Sequence, residues 1–353
     1  MDNLIGSTLI IGNGWDLNVG METSFSAFFR WLTERKFWDK YANYSLIRYI
    51  KDKGERENWF DFEAIILDYA VNSSDSLFLR KIESRKEFDN SDYIRIRDNA
   101  EESLAVLKNN LVEFLTHKQP NFSKNAPAYW IMGAILGAYG KGREPLYDSL
   151  IKRRDSNGKW HFPNNRIVSF NYLNDSQELS VYLQFLEKVG NPIGIDSKLL
   201  EKLYFFIHNS LDFENIANLH PNIIFGTNDD ERMPKAFYVL RKSYWLDTKA
   251  KKRFSYILHH SKRIVIFGHS IQGIDYDYYR EFFSIERPDT EIYVISRNQE
   301  DLEKIRHGIE EKGSNVKIRY LAVDWVGDED MKDFLELCKR IAEEQNEEIS
   351  IQA

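Results

Sequence analysis

A strand that runs directly into a glycine-containing loop is the feature that most constrains this chain. Residues 7–11 read as a short buried strand, and the loop Gly12-Asn13-Gly14 follows at once, ahead of a helical pattern. Glycines permit a tight turn and let the backbone approach a phosphate, whose charge is met by amide groups at a helix start. The alternative to a phosphate-binding loop is a tight turn with no ligand. Because residue 17 is leucine rather than the third glycine of the dehydrogenase pattern, we predict a nucleotide site without ordinary hydride transfer.

A long helical segment separates this loop from the rest of the sheet. Thr23 or Ser24 is placed to cap the first helix, and residues 35 to about 160 are almost wholly helical in pattern. We therefore predict a helical insertion over 35–160, with an α/β domain formed by 1–34 and 161–353. Two apolar stripes at helical spacing support the insertion: Phe62, Ile65, Ile66 and Tyr69, and Leu104, Leu107, Leu111 and Phe114.

After residue 165 the pattern changes to short apolar runs that alternate with helices. Near-continuous apolar runs separated by helical patterns are typical of a mostly parallel sheet covered on both faces. The first strand, at 7–11, is expected to join that sheet. The other predicted strands are 166–170, 222–225, 263–267, 291–295 and 317–323.

Polar clusters follow the predicted strands, and in such a sheet ligands bind beyond the carboxyl ends of the strands. We therefore expect four clusters to converge on one site. They are Gly12-Asn13-Gly14 with the later Gly20; Ser169-Phe170-Asn171-Tyr172; Phe206-Ile207-His208-Asn209-Ser210; and the run from Gly268, His269 and Ser270 to Asp275.

Three residues of these clusters have two readings each. Asn171 either holds a ribose hydroxyl or a water, or caps the next helix. His208 is either a general base near neutral pH or a structural histidine. Ser270 belongs either to a second phosphate-binding turn or, much less favoured, to a serine nucleophile, for which the second glycine of Gly-x-Ser-x-Gly is missing.

Composition excludes several other classes. The single cysteine, Cys338, allows neither an internal disulfide nor a four-cysteine zinc site, and the eight histidines are scattered, so no metal site is predicted. No apolar stretch of about 18 residues or secretion signal exists, so we expect a cytoplasmic protein with no membrane partner. The net charge of −7 leaves only a local basic run, 241–263, for nucleic acid, which is not favoured.

Five ordered blocks of the sequence resemble the AbiH family of bacteriophage abortive-infection proteins. The first block runs from Leu9 to Leu17 and includes Asp16, with Gly20 and Thr23 to Phe28 after it. The others are Trp59-Phe60-Asp61-Phe62-Glu63; Phe170-Asn171-Tyr172; His208 with Ile224-Phe225-Gly226; and Phe267-Gly268-His269-Ser270 with Ile274-Asp275.

A more distant resemblance is to sirtuin-like NAD-consuming domains of phage defence. It implies a Rossmann-like fold that binds NAD through three glycines, Asn171, His208, Gly268 and Ser270. The two resemblances together imply an antiphage protein whose Asn171 and His208 hydrolyse the nicotinamide–ribose bond of NAD or a related nucleotide. The expected ligand-binding residues are Gly12, Asn13, Gly14, Asp16, Gly20, Thr23, Ser24, Gly268, His269, Ser270 and Asp275.

This interpretation requires no cofactor beyond NAD itself as substrate or ligand. A phage-derived trigger and a homo-oligomer are the other expected partners. Two alternatives stay open at this point. One is a nucleotide-sensing or scaffold module without turnover, and the other is a nuclease-type effector that uses the basic run 241–263.

Overall fold

A computed structural model describes most of the chain, as two compact units. The described residues are 5–54, 61–87, 90–116, 127–136, 165–171, 204–207, 224–227, 229–245, 248–271, 275–323 and 329–352. The first unit comprises Met1–Met21, Gln119–Ile207 and Lys249–Ala353, and the second comprises Glu22–Lys118 and His208–Thr248. The domain boundaries predicted from the sequence, after residue 34 and before residue 161, describe evolutionary domains rather than these compact units, so they stay a prediction.

Over its described residues, the first unit is built on one sheet of six parallel strands. Its order is β3-β2-β1-β4-β5-β6, and every neighbouring pair is parallel. This confirms the predicted mostly parallel α/β fold, in which a helical segment follows the first strand. The strands are β1 (Ile5–Ile11), β2 (Arg166–Ser169), β3 (Tyr204–Phe206), β4 (Ser261–Phe267), β5 (Glu291–Ser296) and β6 (Ile318–Ala322).

The central strands are apolar because both of their faces are covered. Leu9, Ile10 and Ile11 of β1 have no exposed surface, and neither have Ile264 and Val265 of β4. Alternation between polar and apolar residues would leave polar groups against the flanking helices, so consecutive apolar residues are what a doubly covered sheet selects.

Helices of the first unit flank this sheet. The helix after β6 contacts both β6 and the helix before β2, and the helix after β5 contacts β5 and β6. In chain order these helices are α1 (Asn13–Asn18), α8 (Pro127–Leu136), α10 (Thr248–His260), α11 (Tyr276–Phe283), α12 (Gln299–Glu310) and α13 (Glu329–Gln352). No helix among the described residues is both long enough and apolar enough to cross a membrane.

The second unit is helical over its described residues. Both predicted apolar stripes are buried there, on the helices Phe62–Asn72 and Ser91–Thr116. Ser24 caps the first helix by accepting a hydrogen bond from the Ala27 amide at 3.2 Å, as predicted. The helices are α2 (Phe25–Glu34), α3 (Phe37–Lys40), α4 (Ser45–Gly54), α5 (Phe62–Asn72), α6 (Ser74–Ser84), α7 (Ser91–Thr116) and α9 (Lys242–Trp245), with a 3₁₀ helix over Lys235–Leu240.

One predicted strand is wrong. The described part of 222–225 is not a strand of the sheet, and only Thr227 forms an isolated bridge, to Arg241. Phe225 is instead fully buried in the second unit, where its ring lies 6.0 Å from that of Phe25. A short apolar run serves a buried loop as well as a strand, and periodicity does not separate the two. The third strand, Tyr204–Phe206, is not among the strands that the sequence predicts.

Candidate functional site

The carboxyl ends of the central strands meet along one rim of the sheet. In the register, Ile11 pairs with Ser169 on one side and with Phe267 on the other, so the residues that follow β1, β2 and β4 are neighbours. In the sheet, β2 and β3 lie on one side of β1, and β4 to β6 lie on the other. This is the strand order of dinucleotide-binding domains, whose ligands lie where the order reverses, between β1 and β4.

Two glycine loops touch each other at this point. The Gly14 amide donates to the Gly268 carbonyl at 2.7 Å, and the Gly12 amide donates to the Phe267 carbonyl at 3.2 Å. A Cβ at Gly14 would lie 2.6 Å from the Gly268 Cα. The glycines therefore serve close contact between the two loops. Because both amides donate within the protein, a phosphate at this rim would be met by other groups.

The second loop has an unusual backbone. Gly268 has a φ of +63°, which favours glycine, and Ile271 has a φ of +50°. A β-branched residue in this region costs about 1–2 kcal/mol. Such a conformation persists where surrounding contacts determine it, and Ile271 is buried. The contacts around buried Ile271 therefore hold its backbone in this conformation.

Asn171 and Asp16 form a buried pair across the rim. The Asn171 Nδ2 donates to the Asp16 Oδ1 at 2.8 Å, and the backbone amide of Asn171 donates to the Ser169 Oγ at 3.1 Å. The two side chains are only 4% and 2% exposed. They are 155 positions apart in sequence, so the fold alone brings them together. The other reading of Asn171, as a cap, concerns a helix beyond residue 171, outside the described residues.

His269 is packed among aromatic rings. Its ring stacks on Phe170 with centroids 4.1 Å apart, and its Nε2 lies 3.9 Å from the Asp275 Oδ2. The ring of Tyr279 lies 5.8 Å from that of His269 and is fully buried. Burial, and to a smaller extent the charge of Asp275, raises the pKa of the Tyr279 phenol. The fold thus brings the His269 imidazole close to the Asp275 carboxylate and packs it against the ring of Phe170, next to Asn171.

Two buried polar atoms of this region lack hydrogen-bond partners among the described residues: the Trp15 Nε1 and the Tyr279 hydroxyl. Buried donors without a partner are rare in folded proteins, so each points to a water, an ion or a ligand group nearby. Trp15 is 1% exposed and packs edge-on against Phe267 at 5.5 Å. Sequence reasoning assigned no role to Trp15, although its place between the loop glycines and Asp16 was a signal.

Other predicted site residues lie in different settings. Asn13 and Ser270 are exposed, and each stands in one of the two glycine loops. Gly20 has a φ of +79° and donates from its amide to the Leu17 carbonyl, so it ends α1. Its demonstrated contact is therefore structural.

Three predicted residues, Thr23, Ser24 and His208, fall in the sequence ranges of the second unit. Thr23 and Ser24 belong to the second unit, where Thr23 is buried and Ser24 caps α2. His208 lies outside the described residues. The residue before it, Ile207, is buried and donates from its amide to the Ser169 carbonyl at the end of β2.

The described part of the tryptophan-to-glutamate block, Asp61 to Glu63, makes structural contacts in the second unit. Asp61 caps α5 by accepting from the Glu63 and Ala64 amides. Glu63 in turn accepts from the Lys242 ammonium at 2.7 Å, and Lys242 is buried.

The basic run 241–263 does not form one basic face. Arg263 is 2% exposed and bonds to Glu291 at 2.7 Å and Glu344 at 2.9 Å. Lys242 and Lys262 are also paired with carboxylates, and the run crosses from the second unit into the first after residue 248. Among the described residues no three His, Cys, Asp or Glu side chains are grouped so as to hold a metal ion.

A comparison with protein families identifies the chain. The sequence model of the family described as bacteriophage abortive infection AbiH matches residues 8–296, most of the chain. The chain belongs to the AbiH family. This confirms the family expected from the ordered blocks and supports a role for this AbiH protein in abortive infection against bacteriophage. None of the curated proteins matches the chain.

Proposed function

We propose that this AbiH protein binds NAD or a related dinucleotide at the rim and hydrolyses its nicotinamide–ribose bond. The observation that carries the proposal is the strand order, which reverses between β1 and β4 where Asp16, Asn171 and His269 converge. The unpartnered Trp15 Nε1 and Tyr279 hydroxyl add buried polar groups that a bound ligand or water would satisfy.

The Asp16–Asn171 pair suits the chemistry of this bond. Water adds to the ribose C1′, nicotinamide leaves as a neutral molecule, and a base takes the proton of the water. The ribosyl group becomes cationic in the transition state. A buried carboxylate such as Asp16 favours that charge, while its hydrogen bond to Asn171 orients the amide towards ribose or water. His208, in the chain directly after Ile207, is the base in this scheme.

The test is release of nicotinamide from NAD by purified protein, measured with the Asn171→Ala and His208→Ala variants. Each variant is expected to lose about 10²-fold or more in turnover while binding persists, because a positioning group or a base is lost. Asn90→Ala is the matched control. Asn90 accepts from the Asp92 amide at the start of α7, so its loss should lower stability by about 1 kcal/mol and spare turnover per folded molecule.

The outcomes separate the alternatives. Binding of NAD by calorimetry without nicotinamide release would favour a nucleotide-sensing module and refute the hydrolase. Failure of the folded protein to bind any dinucleotide would refute both. Equal turnover in Asn171→Ala and the wild type would leave Asn171 with a purely structural role.

A further inference from the structure

A cluster of cations and aromatic rings lies where α10 packs beside β2 and β3 in the first unit. Arg166 is the first residue of β2, whereas the rim follows the last residue of that strand. The Arg253 guanidinium of α10 lies 4.6 Å from the centre of the Phe205 ring of β3. Tyr256, one turn further along α10, stacks on His260 with centroids 3.8 Å apart. We call these five residues the guanidinium cluster.

The two arginines of the guanidinium cluster have no carboxylate partner among the described residues. Arg166 donates to the Asn165 carbonyl at 2.6 Å, and burial and the charge of Arg253 lower the pKa of its guanidinium. Arg263 is the contrast within the same unit, since it is paired with two carboxylates. Two neighbouring guanidinium groups repel each other when no carboxylate lies between them, and a bound anion would offset that repulsion.

The exposed face of α10 extends the guanidinium cluster. Lys249, Lys252 and Arg253 are exposed, Tyr256 is 52% exposed, and their spacing places them with His260 on one side of the helix. At a rise of about 1.5 Å per residue, the eleven steps from Lys249 to His260 span roughly 16 Å. A single phosphate is far shorter than this stripe, whereas a strand of a few nucleotides matches it.

We propose that the guanidinium cluster and the exposed stripe of α10 bind single-stranded nucleic acid. Arg166, Arg253 and Lys252 meet the phosphate backbone, and the exposed face of Tyr256 stacks on a base. This combination of a cationic track and aromatic faces is how strands are bound without sequence preference. The proposal goes beyond the NAD site, because it uses Arg166, Lys252, Arg253 and Tyr256, none of which is assigned to that site.

The test is fluorescence anisotropy with short labelled oligouridine and oligothymidine, titrated with the full chain at several salt concentrations. Arg253→Glu should lower affinity about tenfold or more and reduce the slope of log K against log salt by about 1, because a phosphate contact is lost. Tyr256→Ala should lower affinity about fivefold or more with the salt slope unchanged, because stacking is insensitive to salt.

Lys251→Glu is the matched control. Lys251 is exposed on the same helix but on the opposite side from the stripe, so the same charge change should alter affinity less than about threefold. Arg253→Gln serves as a milder variant if the melting temperature shows that Arg253→Glu is not folded. Nicotinamide release, where present, should be the same in all these variants.

Several results would overturn the proposal. One is an equal loss of affinity in Lys251→Glu and Arg253→Glu, which would indicate a diffuse charge effect. Another is binding to vesicles with anionic lipids but not to oligonucleotides. A third is full competition by inorganic phosphate at constant ionic strength, which would indicate a simple anion site. Absence of any oligonucleotide binding at low salt would also refute it.

Discussion

At Gly14, the space that a side chain would occupy is already filled by the backbone of Gly268. The reverse holds too, because a Cβ at Gly268 would lie 2.5 Å from the Gly14 carbonyl carbon. Neither neighbour is a flexible side chain, so neither can move aside without separating the loops after β1 and β4. The contact is therefore a backbone-to-backbone fit that only glycine permits.

Gly14→Ala is expected to destabilise the protein by about 1–3 kcal/mol, the usual cost of forcing extra volume into a packed site. Urea denaturation measures it. Gly313→Asn is the control, because Gly313 has a φ of +75° with open space around it, and asparagine tolerates that conformation. We expect the larger asparagine there to cost less than the methyl group at Gly14. The opposite ranking would show that the loops after β1 and β4 separate easily.

At the scale of elements, a charged network holds the C-terminal helix against the sheet. Arg263 of β4 bonds to Glu344 of α13, and Arg340 of the same helix bonds to Glu291 of β5 at 3.0 Å. Burial raises the pKa of Glu344, but hydrogen bonds and charge from Arg263 and Lys262 outweigh it, so the net pKa is below its ordinary 4.5. The pair therefore stabilises the fold when Glu344 is ionised.

Glu344→Gln is expected to lower the free energy of unfolding by about 1–3 kcal/mol at pH 7, because buried Arg263 loses a charged acceptor. The folded-state pKa of Glu344 is depressed, so the contribution is complete above about pH 4.5 and is lost as the pH falls through that lower value. The difference between variant and wild type should thus shrink in acid. Urea unfolding between pH 7 and about pH 3 measures this.

Glu343→Gln is the control for this element. Glu343 is next to Glu344 on α13, but it is exposed and its carboxylate lies 3.9 Å from the Lys339 ammonium. Loss of its charge should therefore change the free energy of unfolding little at any pH. A difference for Glu344→Gln that stayed constant down to acid pH would mean that its charge does not matter to the docking of the helix.

At the scale of the whole molecule, negative charge predominates, because acidic residues outnumber basic ones by 55 to 48. The chain carries a net charge of −7, and much of its basic run is neutralised by carboxylates within each unit. The described residues hold no group of side chains with metal-ligand geometry. A divalent metal therefore has no evident protein site in the part of the chain that the structure describes.

We predict that nicotinamide release, if detected, does not depend on a divalent metal. Treatment with a chelator followed by desalting should leave turnover within about twofold of the untreated protein, because the proposed chemistry uses Asn171, Asp16 and His208. The measurement is turnover before and after treatment, with metal added back. A loss that added metal restores would favour a metal-dependent effector instead.

The sequence by itself determined the elements and much of the fold class. Consecutive apolar residues such as Leu9 to Ile11 predict doubly covered strands, and the stripes through Ile65 and Leu107 predict buried helix faces, because both patterns depend on neighbours within a few positions. The same local reading failed at 222–225, where an apolar run is a buried loop.

The tertiary structure decided what local patterns do not encode. Asp16 meets Asn171 and Gly14 meets Gly268 only because the strand order places β2 and β4 on either side of β1. The basic run 241–263 is continuous in sequence, yet folding buries Arg263 among carboxylates and leaves Arg253 beside Arg166. Periodicity acts over a few residues, whereas these contacts join residues far apart in the chain, so their partners follow from the order of the strands.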